Sequence, residues 1–162
     1  MRTNNGKVKN TIISIYFVLI VLGMVMVTVS KSFRSINDNS ALSVLAMVLG
    51  FAVLFFIVHF ISRYFEYDSD GLKVVITNRG LLLSDRFNYR EHQIEFDKKD
   101  LYGYKFSNII VYKTLTVYLK DHRGRKSRET FNVTLVSKRK RRYIRQSLSK
   151  IVKKNKTEKI NE

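Results

Sequence analysis

The sequence predicts a membrane α-helical hairpin joined to a mainly-β domain, a small antiparallel barrel or sandwich closed by a C-terminal amphipathic helix. Three observations predict it. Two uncharged apolar runs, residues 11–30 and 41–61, open the chain. Alternating apolar and polar residues fill much of the stretch from 72 to 136. The last segment, about residues 138–153, switches to a helical period.

The two runs, TIISIYFVLIVLGMVMVTVS and ALSVLAMVLGFAVLFFIVHFI, contain no Asp, Glu, Lys or Arg. Roughly 20 helical residues at about 1.5 Å rise each cross a hydrocarbon core. Thr28-Val29-Ser30 loosely resembles a leader cleavage site, but the first run exceeds the apolar core of a cleavable leader, so it is read as a retained span. Residues 1–10 read as a polar tail. The connector, residues 31–40, is too short for anything but an antiparallel pair. Asp38, Asn39 and Ser40 offer capping side chains for the second helix. Ala46 and Gly50 sit four apart, and with Gly23 in the first run they are expected helix–helix packing positions; generic lipid-facing residues are the alternative. His59 is the one ionisable side chain in either run. With no carboxylate partner it reads as an interfacial imidazole rather than a proton relay.

The chain carries 30 Lys+Arg against 13 Asp+Glu, with no Cys and no Pro. Five basic residues and one acid precede Ser62, so +13 of the net +17 belongs to the remainder. That remainder suffices for one domain. The absence of Cys excludes disulfides, thiolate metal sites and a thiol nucleophile. Arg2, Lys7 and Lys9 precede the first run, and Arg63, Lys73 and Arg79 follow the second. This bias predicts a multi-pass inner-membrane protein with both termini cytoplasmic and residues 31–40 outside.

No Gly/Ser/Pro linker follows the second run, so the domain, residues 62–154, is expected against the membrane. Leu72, Val74 and Ile76 alternate as a strand. Asn78-Arg79-Gly80 reads as a turn into a second strand over 80–87. Shorter strands are expected around Ile94 and Phe96 and over 101–106, and the longest over 108–120. His122-Arg123-Gly124-Arg125-Lys126 is a basic turn. Over 129–136, Phe131, Val133 and Leu135 are expected inward, with Thr130, Asn132 and Thr134 outward. Six or seven short strands predict the barrel or sandwich. Ser137 is the expected N-cap of the helix, whose stripe is Ile144, Leu148, Ile151 and Val152. Residues 155–162 read as a frayed tail.

Few residues suggest chemistry. Asp68-Ser69-Asp70-Gly71 opens like a calcium loop, but Leu72 and Arg79 stand where oxygen ligands are needed, leaving a polar turn. His92 and His122 lack zinc-site spacing. Glu91 and Glu95, four apart in a β-rich segment, need not converge. No enzyme, metal or cofactor is expected. The strongest polar feature is Lys138, Arg139, Lys140, Arg141, Arg142 and Arg145, in the first turns of the helix. Cations there oppose the macrodipole at about 0.3–1 kcal/mol each, whereas an anionic leaflet attracts each by about 1 kcal/mol. Two readings stay open: contact with an anionic surface, and a solvated face. Nucleic acid is disfavoured, since no aromatic platform accompanies the charges.

Two spans followed by short strands and one terminal helix resemble the bacterial pleckstrin-homology-like membrane proteins. The run Val75-Ile76-Thr77-Asn78-Arg79-Gly80-Leu81-Leu82-Leu83 is similar to that family's strand–turn–strand hairpin. IEFDKKDL (residues 94–101) resembles its entry to the next strand, with Asp97 near the position of the usual Pro. LTVYL (residues 115–119) and the terminal helix follow in the family's order. The resemblance implies a pleckstrin-homology-like domain. The acidic turn at Asp68 and Asp70 stands where inositol-phosphate binders of the wider superfamily carry basic residues, so that recognition is not implied. The expected function is a non-enzymatic scaffold or regulator at the cytoplasmic membrane face. It would bind an unidentified protein partner with help from anionic phospholipid, with a homo-oligomer left open. The alternative is a small membrane immunity or envelope-stress resistance protein.

Overall fold

A computed structural model describes residues 1–32, 40–81 and 92–161. It divides into two compact units: Lys7–Ser62, and Met1–Gly6 together with Arg63–Glu162.

The first unit is the helical pair α1 (Lys9–Ser32) and α2 (Ser40–Ile61), entered through a 3-10 turn, Gly6–Val8. Both helices are long and apolar enough to cross a membrane, and almost none of either apolar window is buried. Aromatic rings make the contacts within the pair. The Tyr16 and Phe55 rings lie 5.1 Å apart, and a Cβ on Gly23 would meet the Phe51 ring at 4.0 Å. Ala46 and Gly50 are exposed, and a Cβ on Gly50 would meet nothing. Of the three expected packing positions, Gly23 faces a ring of the neighbouring helix and Gly50 has nothing within reach. The expected capping contacts of Asp38, Asn39 and Ser40 lie outside the described residues, as does the centre of the connector.

The second unit is mainly β. One antiparallel sheet runs β1 (Arg2–Asn4), β2 (Arg63–Asp68), β3 (Lys73–Gly80), β4 (His92–Asp97); the other runs β5 (Leu101–Ile109), β6 (Tyr112–Lys120), β7 (Lys126–Asn132). The two sheets do not close into a barrel. Period-two burial explains the strands. Phe65, Tyr67, Val74 and Ile76 of the first sheet, and Leu115, Val117 and Phe131 of the second, form one core. The helix α3 (Lys138–Asn161) adds Ile144, Leu148 and Ile151, the expected stripe, to the same core. Each such side chain contributes about 1.5–3 kcal/mol when fully buried. Ser137 caps α3, its Oγ accepting from the Lys140 N–H at 3.4 Å. The helix does not fray at 155. Asn155 is buried and donates to the Lys98 and Leu101 carbonyls at 2.7 and 2.8 Å, which pins the last turns.

Besides β2, which was not expected as a strand, four segments differ from expectation, each for a local reason. Residues 2–4 are a strand rather than part of a tail, with Arg2 opposite Asp68 and Asn4 opposite Glu66. Asn5 continues the pairing with its side chain. It accepts from the Phe65 N–H at 2.9 Å and donates to the Arg63 carbonyl at 2.9 Å, while its own N–H reaches the Phe65 carbonyl at 3.1 Å. Second, β3 runs straight through Asn78, Arg79 and Gly80, so the expected turn is absent; most of the strand expected over 80–87 lies outside the described residues. Asn78 serves as a bracket: its Nδ2 donates to the Tyr64 and Asn132 carbonyls, both at 3.0 Å, and its Oδ1 accepts from the Asn132 N–H at 3.3 Å. Third, β7 ends at Asn132, which is buried rather than outward, and Leu135 is only partly buried. Finally, the strand expected over 108–120 is broken by a turn at Ile110 and Val111, with Ile109 opposite Tyr112.

That turn places Ile110 at φ +50°. A β-branched side chain in the left-handed region costs about 1–2 kcal/mol. Ile110 is 93% exposed, so no packing offsets the cost. Ile110→Asn should therefore raise stability by about 1 kcal/mol, read as a higher melting temperature of the detergent-solubilised chain.

The short β1 is held by charge as well as by its ladder. Arg2 Nε and the Tyr64 hydroxyl both donate to the Glu66 carboxylate at 2.7 Å. Burial pushes the Glu66 carboxyl up, but the Tyr64 hydroxyl and the Arg2 guanidinium outweigh it and hold the group below its ordinary value. Tyr64 is pushed up to about 12, by burial first and then by its bond to Glu66. A depressed carboxyl stabilises the fold above its unfolded pKa, and the gain is lost as pH falls through the folded one. The melting temperature of wild type should exceed that of Glu66→Gln near neutral pH, and the gap should close below the ordinary carboxylate range.

Candidate anion-binding cleft

After β7 the chain makes a tight turn that brings the start of α3 beside the β5–β6 hairpin. The Val133 N–H donates to the Lys113 carbonyl at 2.8 Å, and the Lys113 N–H donates to Thr134 Oγ1 at 3.0 Å. The apolar stripe of α3 then fixes its rotation. Positions 138, 141, 142 and 145 follow the i, i+3, i+4, i+7 spacing of a single helix face.

Between the hairpin and this face lies a cleft of about 750 Å³. Phe106, Ser107 and Asn108 of β5 and Lys113 of β6 form one wall. Lys138, Arg139, Arg141, Arg142 and Arg145 of α3 form the other. Six cations therefore line it, with no carboxylate among them.

Several of these cations are preorganised. The Arg145 guanidinium lies over the Phe106 ring, 5.2 Å from its centroid. Arg139 donates from Nε to the Tyr143 hydroxyl at 3.0 Å. Arg141 Nε is buried with no hydrogen-bond partner. An orphaned buried donor costs about 1–3 kcal/mol, more when charged, and the positive helix terminus adds to the repulsion. An anion in the cleft would offset the like-charge repulsion.

Five of the six cations expected as a cluster are thus gathered here. Lys140 is not: it points to β1, where its Nζ donates to the Asn4 carbonyl. Lys113 joins the cleft without having been anticipated. Its strand was expected to run unbroken over 108–120, which hides the hairpin that brings Lys113 to α3.

The remaining candidates stay apart from the cleft. His92 Nε2 meets Glu129 at 3.0 Å, and its ring packs on Phe131. His122 pairs with Asp121. Glu95 pairs with Lys73 at 2.7 Å, while Glu91 lies outside the described residues. Asp68 Oδ1 accepts from the Asp70 N–H at 3.0 Å, the polar turn expected there. His59 is exposed on α2.

No family model matches the chain, and neither does any curated protein or solved structure. What the cleft does must be argued from its own chemistry. It offers guanidinium, ammonium, hydroxyl and amide donors, with no carboxylate or imidazole in its lining. That lining is suited to an anion.

Arg141→Met removes the orphaned donor while keeping the aliphatic stem. It should leave stability unchanged or raise it by up to about 1 kcal/mol, measured by thermal unfolding, while reducing anion retention by the cleft. A clear loss of stability would show that Arg141 is there for packing.

Proposed function

We propose that this chain is a membrane-anchored, non-enzymatic scaffold or regulator. Its pleckstrin-homology-like domain binds anionic lipid through the α3 cleft and holds a protein partner at the bilayer. The observation that carries the lipid reading is the acid-free cleft lined by six cations from α3 and β6. A four-stranded and a three-stranded antiparallel meander followed by one long C-terminal helix support the pleckstrin-homology-like assignment.

The energetics favour lipid. Near an anionic leaflet each cation gains about 1 kcal/mol, which exceeds the cost of opposing the helix dipole. Phosphate also suits the planar, multi-donor arginine side chain.

The anchoring rests on two apolar helices whose surfaces are left uncovered. An exposed apolar surface of that extent marks a membrane or partner contact. The strand β1 precedes α1 and pairs in the same sheet as β2, which follows α2. Removal of α1 as a leader would take β1 with it. The same pairing supports a hairpin with both ends on one side, and the charge bias favours the cytoplasm.

Two measurements test this. Native mass spectrometry of the full chain released from nanodiscs should find phosphatidylglycerol retained over phosphatidylcholine. Replacing Arg139, Arg141, Arg142 and Arg145 with Gln should cut that retention about tenfold or more, given about 1 kcal/mol per charge before screening. Equal retention of both lipids by the wild type would refute the lipid reading. For topology, Ser35→Cys should react with an impermeant maleimide on intact cells, and Leu72→Cys only after permeabilisation. The reverse pattern would invert the orientation.

A further inference from the structure

We propose that the turn joining β5 to β6 is an apolar wedge that enters an anionic bilayer while the adjoining cleft holds lipid phosphates. This rests on the membrane reading above and adds the surface by which the β unit docks.

Three consecutive branched aliphatic residues form the wedge. Ile109, Ile110 and Val111 are 64%, 93% and 61% exposed. Turns of this kind ordinarily take Gly, Asn or Asp, which accept positive φ or bond their own backbone. Here Ile occupies the left-handed position at φ +50° and contributes nothing to the core. Both fold stability and solubility would be better served by Asn. A sequence that keeps an exposed, strained Ile at the apex uses it for contact with something apolar.

The wedge is continuous with the cleft. Asn108 and Lys113, which face each other across the hairpin just below the turn, both line it. Apolar side chains at the tip with cations behind them suit the headgroup–acyl boundary of an anionic membrane. A second copy of this chain is a poor occupant, because its own acid-free cleft would meet the first one charge to like charge.

The position of the wedge within the β unit points the same way. Asn5 bonds the Arg63 carbonyl, Arg63 pairs with Gly80, and Asn78 bonds Asn132. Asn132 pairs with Thr114, which pairs in turn with Ser107, three residues from the apex of the turn. The wedge therefore lies at the end of the unit where the chain leaves at Gly6 and returns at Arg63. The opposite end carries Leu72 and the acidic Asp68 and Asp70.

The chain has no native cysteine, so single cysteines report position directly. Full-length Ile110→Cys and Leu72→Cys, each carrying an environment-sensitive fluorophore, are reconstituted into phosphatidylcholine nanodiscs with and without phosphatidylglycerol. In the anionic discs the label at 110 should shift to the blue. Spin-labelled acyl chains should quench it about threefold more than the label at 72, as expected for a group ~5–10 Å into the headgroup–acyl boundary. Equal quenching at the two positions overturns the proposal. So does a blue-shifted label at 110 that lipid quenchers do not reach, because the wedge would then be covered by protein. If 110 is solvated while phosphatidylglycerol is still retained, only the wedge fails. If 110 is quenched alike in both lipids and no anionic lipid is retained, the cleft reading fails and the joint proposal with it.

Discussion

Asn78 ties the two sheets of the β unit together with a single side chain. Its amide donates to Tyr64 in the neighbouring strand and to Asn132 in the other sheet, and its oxygen accepts from the Asn132 backbone. Buried backbone groups need partners, and sheets that do not close into a barrel leave such groups unmet at their edges. Asn78 meets two of them at Asn132. The position of β7, the turn after it and the start of α3 follow from that connection, and so does the cleft that α3 forms with the hairpin.

The same end of the unit gathers its other unusual features. Asn5 completes the edge of the first sheet with three hydrogen bonds to β2. Lys140 leaves the basic cluster to bond β1. The remaining cations of α3 meet Lys113 across the cleft. The hairpin apex carries exposed aliphatic residues in a strained turn. Stability alone would favour neither of the last two: like charges gathered at a helix N-terminus, and Ile at positive φ. On the membrane reading proposed above, an anionic, partly apolar surface would favour both.

Much of this architecture was legible in the residues. The apolar runs gave α1 and α2 to within a few residues, because length and lack of charge suffice. The stripe Ile144, Leu148, Ile151 and the cap at Ser137 gave α3, and alternation gave the cores of β3, β4 and β6. The failures have physical causes. Asn78 carries turn chemistry in isolation, but here the same hydrogen-bonding capacity bridges sheets. The turn at Ile110 contains no Gly, Asn or Asp, so local propensity hides it. The strand β1 is only three residues long and pairs across some sixty residues of intervening chain, which local pattern cannot register. The signal for β2 was present, since Phe65 and Tyr67 alternate with polar neighbours, but the adjoining apolar run obscured it. The basic cluster was legible as charge, while its division between β1 and the cleft required the fold.

The central proposal is that one end of the β unit meets an anionic bilayer. Hydrogen–deuterium exchange on the full chain, compared between nanodiscs with and without phosphatidylglycerol, tests it most directly. It predicts added protection in anionic discs around residues 107–113 and 137–142, with exchange unchanged around 70–73 and 121–125. Protection confined to that second pair of segments, or none anywhere, would contradict it.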